Sequence, residues 1–418
     1  MGIFYNIKNI SKNLINSQKA GIYQGSATLI NRIVFFIIFT LIGRFYGQSE
    51  LGKISTALNL ANILQVFSDF GFRVIIQREA SRSANIKKYF LLSLIIKSVS
   101  SIVLYSVVFV YYNISSGISL LYLSTCYFSI VLLSIGGFSF AYLIGTDRNR
   151  EYFKINIISY SLILLLFVFI VLINKPDFIP LVFFVGGISQ IYVAYDIIQS
   201  LTIKEIINWQ LLKKWFMESI PVWIGLLSVF IYDKVDVLFL TIMKGTKESG
   251  AYYAPYTVLK SLTIITSFYL TNYFTKLSKN FNVGYKLYIK TIREELSISL
   301  IVGSSVFIVF VIFNKSIMSI LYGNNFLLSS EILKVLSFAV IFIIFNYSFG
   351  TIFNSMNRTE IPMYGAILAL IFNVTSNLIF IPTYGYWAAA YNTIGTELIM
   401  FSYLLVNYFR TIKKLSIE

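Results

Sequence analysis

The residues able to do chemistry in this chain are ionisable side chains set inside long apolar runs. Arg32 stands beside Asn31 in the first such run, Asp233, Lys234 and Asp236 share the seventh, Lys260 lies in the eighth and Glu397 in the twelfth, while Asp69, Arg73, Lys97 and Asp196 lie nearer run ends. Charge in hydrocarbon is costly, so such residues face a protein interior or a water-filled cavity and are candidates for binding or ion coupling by default. The chemistry they offer is of two kinds. A guanidinium or ammonium can hold an anion, and Arg suits phosphate because its planar fork meets two oxygens at once. A carboxylate in a low-dielectric setting can take up a proton or a cation. Lys260, about ten residues from the outer end of its run, is about 15 Å deep at about 1.5 Å per residue, and by the same measure Asn62 and Glu397 are near the middle of theirs.

Plainer readings stand beside these. Lys260 with Asp233 also reads as an internal salt bridge joining neighbouring helices, Asn62 as a polar contact between helices, and the residues near run ends as snorkelling side chains.

Polar residues also form a stripe. In the run Leu51 to Phe70, continued to Arg73, Ser55, Asn59, Asn62, Gln65, Asp69 and Arg73 recur at steps of three and four, which keeps them on one helical face. The pattern returns at an offset of 198 residues as Tyr253, Thr257, Lys260, Thr263, Ser267 and Thr271, and Glu50-Leu51-Gly52 is answered by Glu248-Ser249-Gly250. Farther on, Thr146-Asp147-Arg148 aligns with Met356-Asn357-Arg358 at an offset of 210, the extra residues fitting a longer cytoplasmic loop from Lys276 to Glu295. The chain therefore reads as two copies of one unit, each supplying a polar-faced helix to a shared cavity, with copies of the same orientation related by an axis along the membrane normal.

Composition sets the class. With 57% hydrophobic and 12% charged residues and a mean hydropathy of +0.75, a chain of 418 residues has more apolar surface than a soluble domain can bury. The net charge of +16 is spread between apolar runs, so it reads as membrane orientation and excludes nucleic acid as a partner. The chain has one cysteine, Cys126, and no histidine, which excludes a disulfide framework and histidine-based metal or acid–base sites. No nucleotide-binding GxxxxGK[ST] loop, nucleophile triad or acidic metal motif is present, so neither an enzyme nor a bound metal or cofactor is expected.

Twelve runs reach the length of roughly 20 residues that a bilayer span needs. They are Ile22 to Ile42, Leu51 to Ile76, Tyr89 to Tyr111, Ile118 to Ile144, Ile155 to Ile173, Ile179 to Ile198, Ile220 to Met243, Ala251 to Phe274, Leu296 to Phe313, Ile332 to Phe353, Met363 to Ile381 and Trp387 to Tyr408. The expected fold is an all-α polytopic membrane protein with about twelve transmembrane helices in two six-helix bundles, 22–198 and 220–409. An interfacial segment 1–21, a linker 199–219 and a tail 410–418 complete it. Arg78, Arg82, Lys87, Lys88, Arg148, Arg150, Lys276, Lys279 and the C-terminal Arg410, Lys413 and Lys414 fall on the side shared with the N-terminus, and the alternate segments hold few basic residues. Both termini are thus expected in the cytoplasm.

Several short motifs resemble the Wzx-type oligosaccharide flippases, which belong with the multidrug and toxin extruders to one exporter superfamily. They are Phe45-Tyr46-Gly47 through Glu50-Leu51-Gly52, Asp69-Phe70-Gly71, Leu321-Tyr322-Gly323 with Ser330 and Leu333, and Asn373 and Asn377 leading into Ile381-Pro382-Thr383-Tyr384-Gly385-Tyr386-Trp387. The resemblance implies two bundles around a V-shaped cavity and transfer of undecaprenyl-diphosphate-linked oligosaccharide repeat units across a bacterial inner membrane, for O-antigen or capsule. It also implies cavity cations for the diphosphate, here Arg32 and Lys260, and the polar stripes themselves suggest Asn59, Asn62, Tyr253 and Thr257 along the sugars. H+ or Na+ would couple through Asp69, Asp233, Asp236 or Glu397, and a polysaccharide polymerase and a chain-length regulator would be partners beside membrane lipids. The lipid II flippase branch typically has two more helices. An ion-coupled multidrug exporter and a non-transporting scaffold for polysaccharide assembly remain as alternatives. Cysteines introduced at Asn62 and Thr257 are expected to react with a water-soluble maleimide in intact membranes, whereas a scaffold with dry stripes would leave both unlabelled.

Overall fold

A computed structural model describes residues 2–81, 87–115, 117–199 and 209–415, and no strand occurs among them. The helices are α1 (Gly2–Asp69), α2 (Phe72–Ala80), α3 (Lys87–Ile114), α4 (Leu120–Gly145), α5 (Asn149–Leu172) and α6 (Ile179–Ile198), then α7 (Trp209–Lys244), α8 (Thr246–Val283), α9 (Tyr285–Tyr322), α10 (Leu327–Ser355), α11 (Glu360–Tyr384) and α12 (Tyr386–Leu415). Among the described residues, eight helical stretches are long and apolar enough to cross a membrane, and the first of them, Gly21–Asp69, is bent at Gly47 (φ 81°, ψ −173°) into two arms. The apolar runs of α7, α8 and α12 are interrupted by charged and polar residues, Asp233, Lys260 and Glu397 among them. The chain is a multi-pass, all-α membrane protein, as the hydropathy pattern required.

Element boundaries depart from the sequence reading at four places. The stripe helix does not continue to Arg73, because Phe70 (φ 44°) and Gly71 (φ 73°) turn left-handed and α2 starts afresh. Arg73 thereby leaves the stripe face and is exposed. The segment from Lys276 to Glu295 is no loop: α8 and α9 run through it and meet at Gly284. Its helical faces bury Leu277, Tyr288 and Ile292 in one apolar cluster with Phe349, Phe353, Met400 and Leu404. Helix α1 carries the N-terminal segment and the first apolar run as one continuous helix, and α7 absorbs the latter part of 199–219. Lys204, Ile206 and Ile207 of that linker lie outside the described residues.

Packing divides the chain into two compact units. The first comprises Met1–Ile38, Phe67–Val108 and Leu121–Ile220, and the second Phe39–Val66, Phe109–Leu120 and Pro221–Glu418. In the first, Phe72, Ile76, Phe90, Phe138, Leu143 and Trp215 form a buried apolar core.

The duplication appears in the backbone. Residues with positive φ recur in the same order in both halves: Gly47 with Gly245, Gly117 with Gly323, Asp147 with Asn357 and Asn174 with Gly385. Asp147 and Asn357 end α4 and α10 in the same left-handed cap. The Arg148 N–H donates to the Leu143 carbonyl at 2.8 Å and the Arg358 N–H to the Phe353 carbonyl at 3.0 Å.

The two stripe helices also meet symmetrically inside the second unit. A Cβ on Gly52 would fall 1.8 Å from the Thr246 carbonyl oxygen, and one on Gly250 would fall 1.8 Å from that of Gln48. These four positions pair at the offset of 198 that the stripes predicted. Ser49 and Thr246 share a hydrogen bond at 3.0 Å, and Thr56 and Thr241 share one at 2.6 Å. Nothing lies within 4 Å of a Cβ on Gly350. Gly52→Ala and Gly250→Ala are therefore each expected to destabilise the purified protein by about 1–3 kcal/mol or more, whereas Gly350→Ala should leave its thermal midpoint level or slightly raised.

Candidate functional site

The candidate site in the second unit is built from the facing polar residues of α7, α8, α10, α11 and α12. Asp233 and Asp236, one turn apart on α7, head two separate networks. Asp233 forms an ion pair with Lys260 of α8 and lies 3.5 Å from the Lys234 ammonium. The Tyr256 hydroxyl donates to Asp233 Oδ1 at 2.8 Å, and the Lys260 ammonium sits 5.2 Å from the centre of the same ring. Helical spacing explains the convergence, since Tyr256 and Lys260 are four apart on α8 and present one face. The Lys260 and Asp233 side chains are 24% and 23% exposed, so the pair is neither dry nor freely solvated. Glu397 lies within electrostatic reach of Lys260 and accepts from Asn346 Nδ2 at 2.8 Å.

Asp236 is different: it is buried and forms no ion pair among the described residues. Asn373 and Asn377 donate to Oδ1 at 3.0 and 2.5 Å, and Tyr252 and Thr393 donate to Oδ2 at 2.9 and 3.3 Å. Asn392 in turn donates to Asn377 at 2.8 Å. Four donors from α8, α11 and α12 on one carboxylate tie those helices to α7, and they can hold the charge without a counter-ion.

The first unit holds a second intramembrane ion pair. Lys97 of α3 is fully buried, pairs with Asp69 at the end of α1, donates to Ser68 Oγ at 3.2 Å and stands 5.2 Å from the Phe138 ring centre. Asp69 is thus neutralised locally, with Ser134 a further donor at 3.5 Å. Arg32 is half-buried in this unit.

Of the expected site residues, the structure joins Lys260 directly to Asp233 and brings Glu397 near them, and it keeps Asp236 in its own network. Asn59 is buried, and Asn62 is half-buried with its amide donating to the Leu58 carbonyl of its own helix at 2.7 Å. Thr257 likewise donates to the Tyr253 carbonyl at 2.9 Å, and Tyr253 packs its ring against the edge of Phe39 at 5.1 Å. Along the first stripe Ser55, Asn59 and Gln65 are buried and Asn62 and Asp69 half-buried. Along the second Tyr253, Thr257 and Lys260 are half-buried and Thr271 is exposed. The side chains of Thr263 and Ser267 lie outside the described residues. Sequence reasoning missed Asn346, Asn392, Thr393 and Thr396. For the last three a signal was present, because Asn392, Thr393, Thr396 and Glu397 step by one, three and one along one side of α12.

The family model described as polysaccharide biosynthesis protein matches residues 17–281. A probable low-salt glycan biosynthesis flippase of Haloferax volcanii is 20% identical over 86% of this chain and 76% of its own length. An uncharacterized membrane protein of Methanocaldococcus jannaschii is 25% identical over 47% of this chain, which spans only 39% of that protein. The solved structure of the lipid II flippase MurJ in an inward closed conformation is similar with a TM-score of 0.71 at 18% identity, over 95% of this chain and 90% of that one. An inward-facing multidrug resistance MATE family transporter of the MOP superfamily is similar with a TM-score of 0.70 at 12% identity, over 93% and 95%. The fold is that of these transporters.

The Asp233–Lys260 pair makes a quantitative expectation. Asp233→Asn and Lys260→Met should each lower thermal stability, and the double variant should lose less than the two together, with a coupling of about 0.5–3 kcal/mol. Additive losses in a double-mutant cycle would show that the two groups do not interact.

Proposed function

The chain belongs to the polysaccharide biosynthesis protein family, and on that premise we propose that it is a flippase for lipid-linked glycans. It carries undecaprenyl-diphosphate-linked oligosaccharide repeat units from the cytoplasmic to the outer leaflet of a bacterial inner membrane, with both termini cytoplasmic, in the synthesis of O-antigen or capsule. The observation that carries the reading is the cluster of Lys260, Asp233, Lys234 and Tyr256, which places cationic groups amid apolar helices and leaves the central pair about a quarter exposed.

Asp233 keeps Lys260 charged while no substrate is bound. An arriving diphosphate competes for the Lys260 ammonium with an acceptor of higher charge, and Asp233 then retains Lys234 and the Tyr256 hydroxyl. Arg32 is the cation assigned to the same diphosphate from the first half, and Asn59, Asn62, Tyr253 and Thr257 are assigned to the sugars. Alternating access follows from rocking of the halves 22–198 and 220–409. H+ or Na+ resets the carrier through Asp69, Asp233, Asp236 or Glu397, and a polymerase and a chain-length regulator take up the product. Export of cationic drugs is disfavoured by Arg32 and Lys260, which would repel such a cargo.

The test is flipping of undecaprenyl-diphosphate-linked oligosaccharide in proteoliposomes at matched protein content. A charge-assisted contact is worth about 1.5–3 kcal/mol, so Arg32→Ala and Lys260→Ala are each expected to lower the rate about tenfold to a hundredfold. Wild-type rates in both would overturn the site assignment.

A further inference from the structure

One buried carboxyl takes no part in this scheme. Glu295 of α9 is fully buried, and Ser299 Oγ donates to its Oε1 at 2.9 Å. Its Oε2 is buried without a hydrogen-bond partner, and Glu295 forms no ion pair among the described residues. The four acids of that scheme are answered differently. Asp69 and Asp233 have ammonium groups, Asp236 has four donors, and Glu397 has an amide donor with Lys260 in reach. The Ser299 and Ser348 hydroxyls are all that faces this charge as hydrogen-bond donors, with one oxygen left bare, and a carboxylate so thinly compensated out of water costs several kcal/mol. A bound proton removes that charge.

The surroundings specify a proton over a larger cation. Ser299 Oγ is 2.7 Å from Ser348 Oγ and 3.0 Å from the Tyr269 hydroxyl, so the oxygens are already closed upon one another by hydrogen bonds and leave no ion-sized gap. Ser299 spends its only proton on Glu295, which makes Tyr269 the donor to Ser299. The hydroxyls of Tyr269 and Ser299 thus form a directed relay ending on the carboxyl, and Tyr269, unlike Ser299, is only half-buried.

We propose that Glu295 is a proton-binding site of the transport cycle, held as the neutral acid in this conformation and recharged through Tyr269 and Ser299. In recharging, a hydronium ion gives a proton to the Tyr269 oxygen and leaves as water, while Tyr269 passes its own proton to Ser299, Ser299 passes its own to Glu295, and the carboxylate becomes an acid. Discharge breaks the Glu295 O–H bond and returns the proton to water. The groups facing the carboxyl are Tyr269 and Tyr273 from α8, the Ser348 hydroxyl from α10 and Tyr408 from α12. Lys276 covers the Tyr273 ring at 4.9 Å, and the exposed Arg293 and Glu294 of α9 act on Tyr408 and Tyr273. The inference rests on the chain being a transporter only for its place in a cycle; the proton itself can be observed without transport.

The first measurement is an infrared difference titration of the full-length protein in lipid nanodiscs, from acid to alkaline, without substrate. The expected result is a protonated-carboxyl band that outlasts the ordinary glutamic acid range, is absent in Glu295→Gln and is retained in Glu294→Gln. A band unchanged in Glu295→Gln overturns the proposal, as does one displaced by added Na+ at constant pH. Ser299→Ala removes the relay and should shift the midpoint and slow exchange of the band; an identical midpoint and rate overturn the relay. The second measurement is the pH profile of flipping, which Glu295→Gln should flatten. A wild-type profile in that variant overturns the role in the cycle. Failure of the wild-type protein to flip lipid-linked oligosaccharide, with the band present, would count against the proposed function and leave the proton site standing.

Discussion

Hydrocarbon offers no hydrogen bonds, so every polar group in these helices must be answered by protein or by water. That constraint orders the whole molecule. Asp236 is answered by four donors from three helices, Lys97 by Asp69, and Lys260 by Asp233. Each answer ties helices together, and each unit accordingly holds polar ties inside a largely apolar helix packing. The exposure of the answering groups then separates structural ties from groups that can change partner: Asp236 is sealed, whereas Lys260 and Asp233 remain partly open.

The fold was legible because its signals are long and redundant. Apolar runs of bilayer length fell on helices, the run Leu51 to Ile76 being broken at Phe70 and Gly71, and the repeat at an offset of 198 reappears in the left-handed pair Gly47 and Gly245 and in the reciprocal approach of Gly52 and Gly250. Both follow from backbone requirements that short sequence words encode directly. Element ends were less legible. Phe70 adopts φ 44° with no residue type to announce it, and the amphipathic segment around Gly284 reads as polar in a hydropathy profile although its helices bury Leu277 and Ile292.

The site was legible by residue type and not by partner. Ionisable residues within apolar runs stood out, but nothing in the spacing distinguishes Asp233, which meets Lys260, from Asp236, which meets Asn373 and Asn377. The choice is made by which helix packs against which face, a long-range property. Asn346 and Glu295 went unremarked for the opposite reason. Asn346 is a lone amide in an apolar run, and Glu295 belongs to a basic segment where an acid looks like ordinary surface; burial alone reveals both.

The reciprocal glycine crossing bears on ancestry. A contact in which 48 meets 250 while 52 meets 246 is isologous in form, the arrangement a homodimer of half-length chains would make across its own two-fold axis. In such a dimer any change at the crossing is made twice, and a lysine at the position of Lys260 would come with an identical lysine where Asn62 now stands. Two copies within one chain are free of that doubling. A solitary ammonium could then be introduced on one side and matched by a solitary acid, giving a polar lining whose two sides differ in charge although their backbones still correspond.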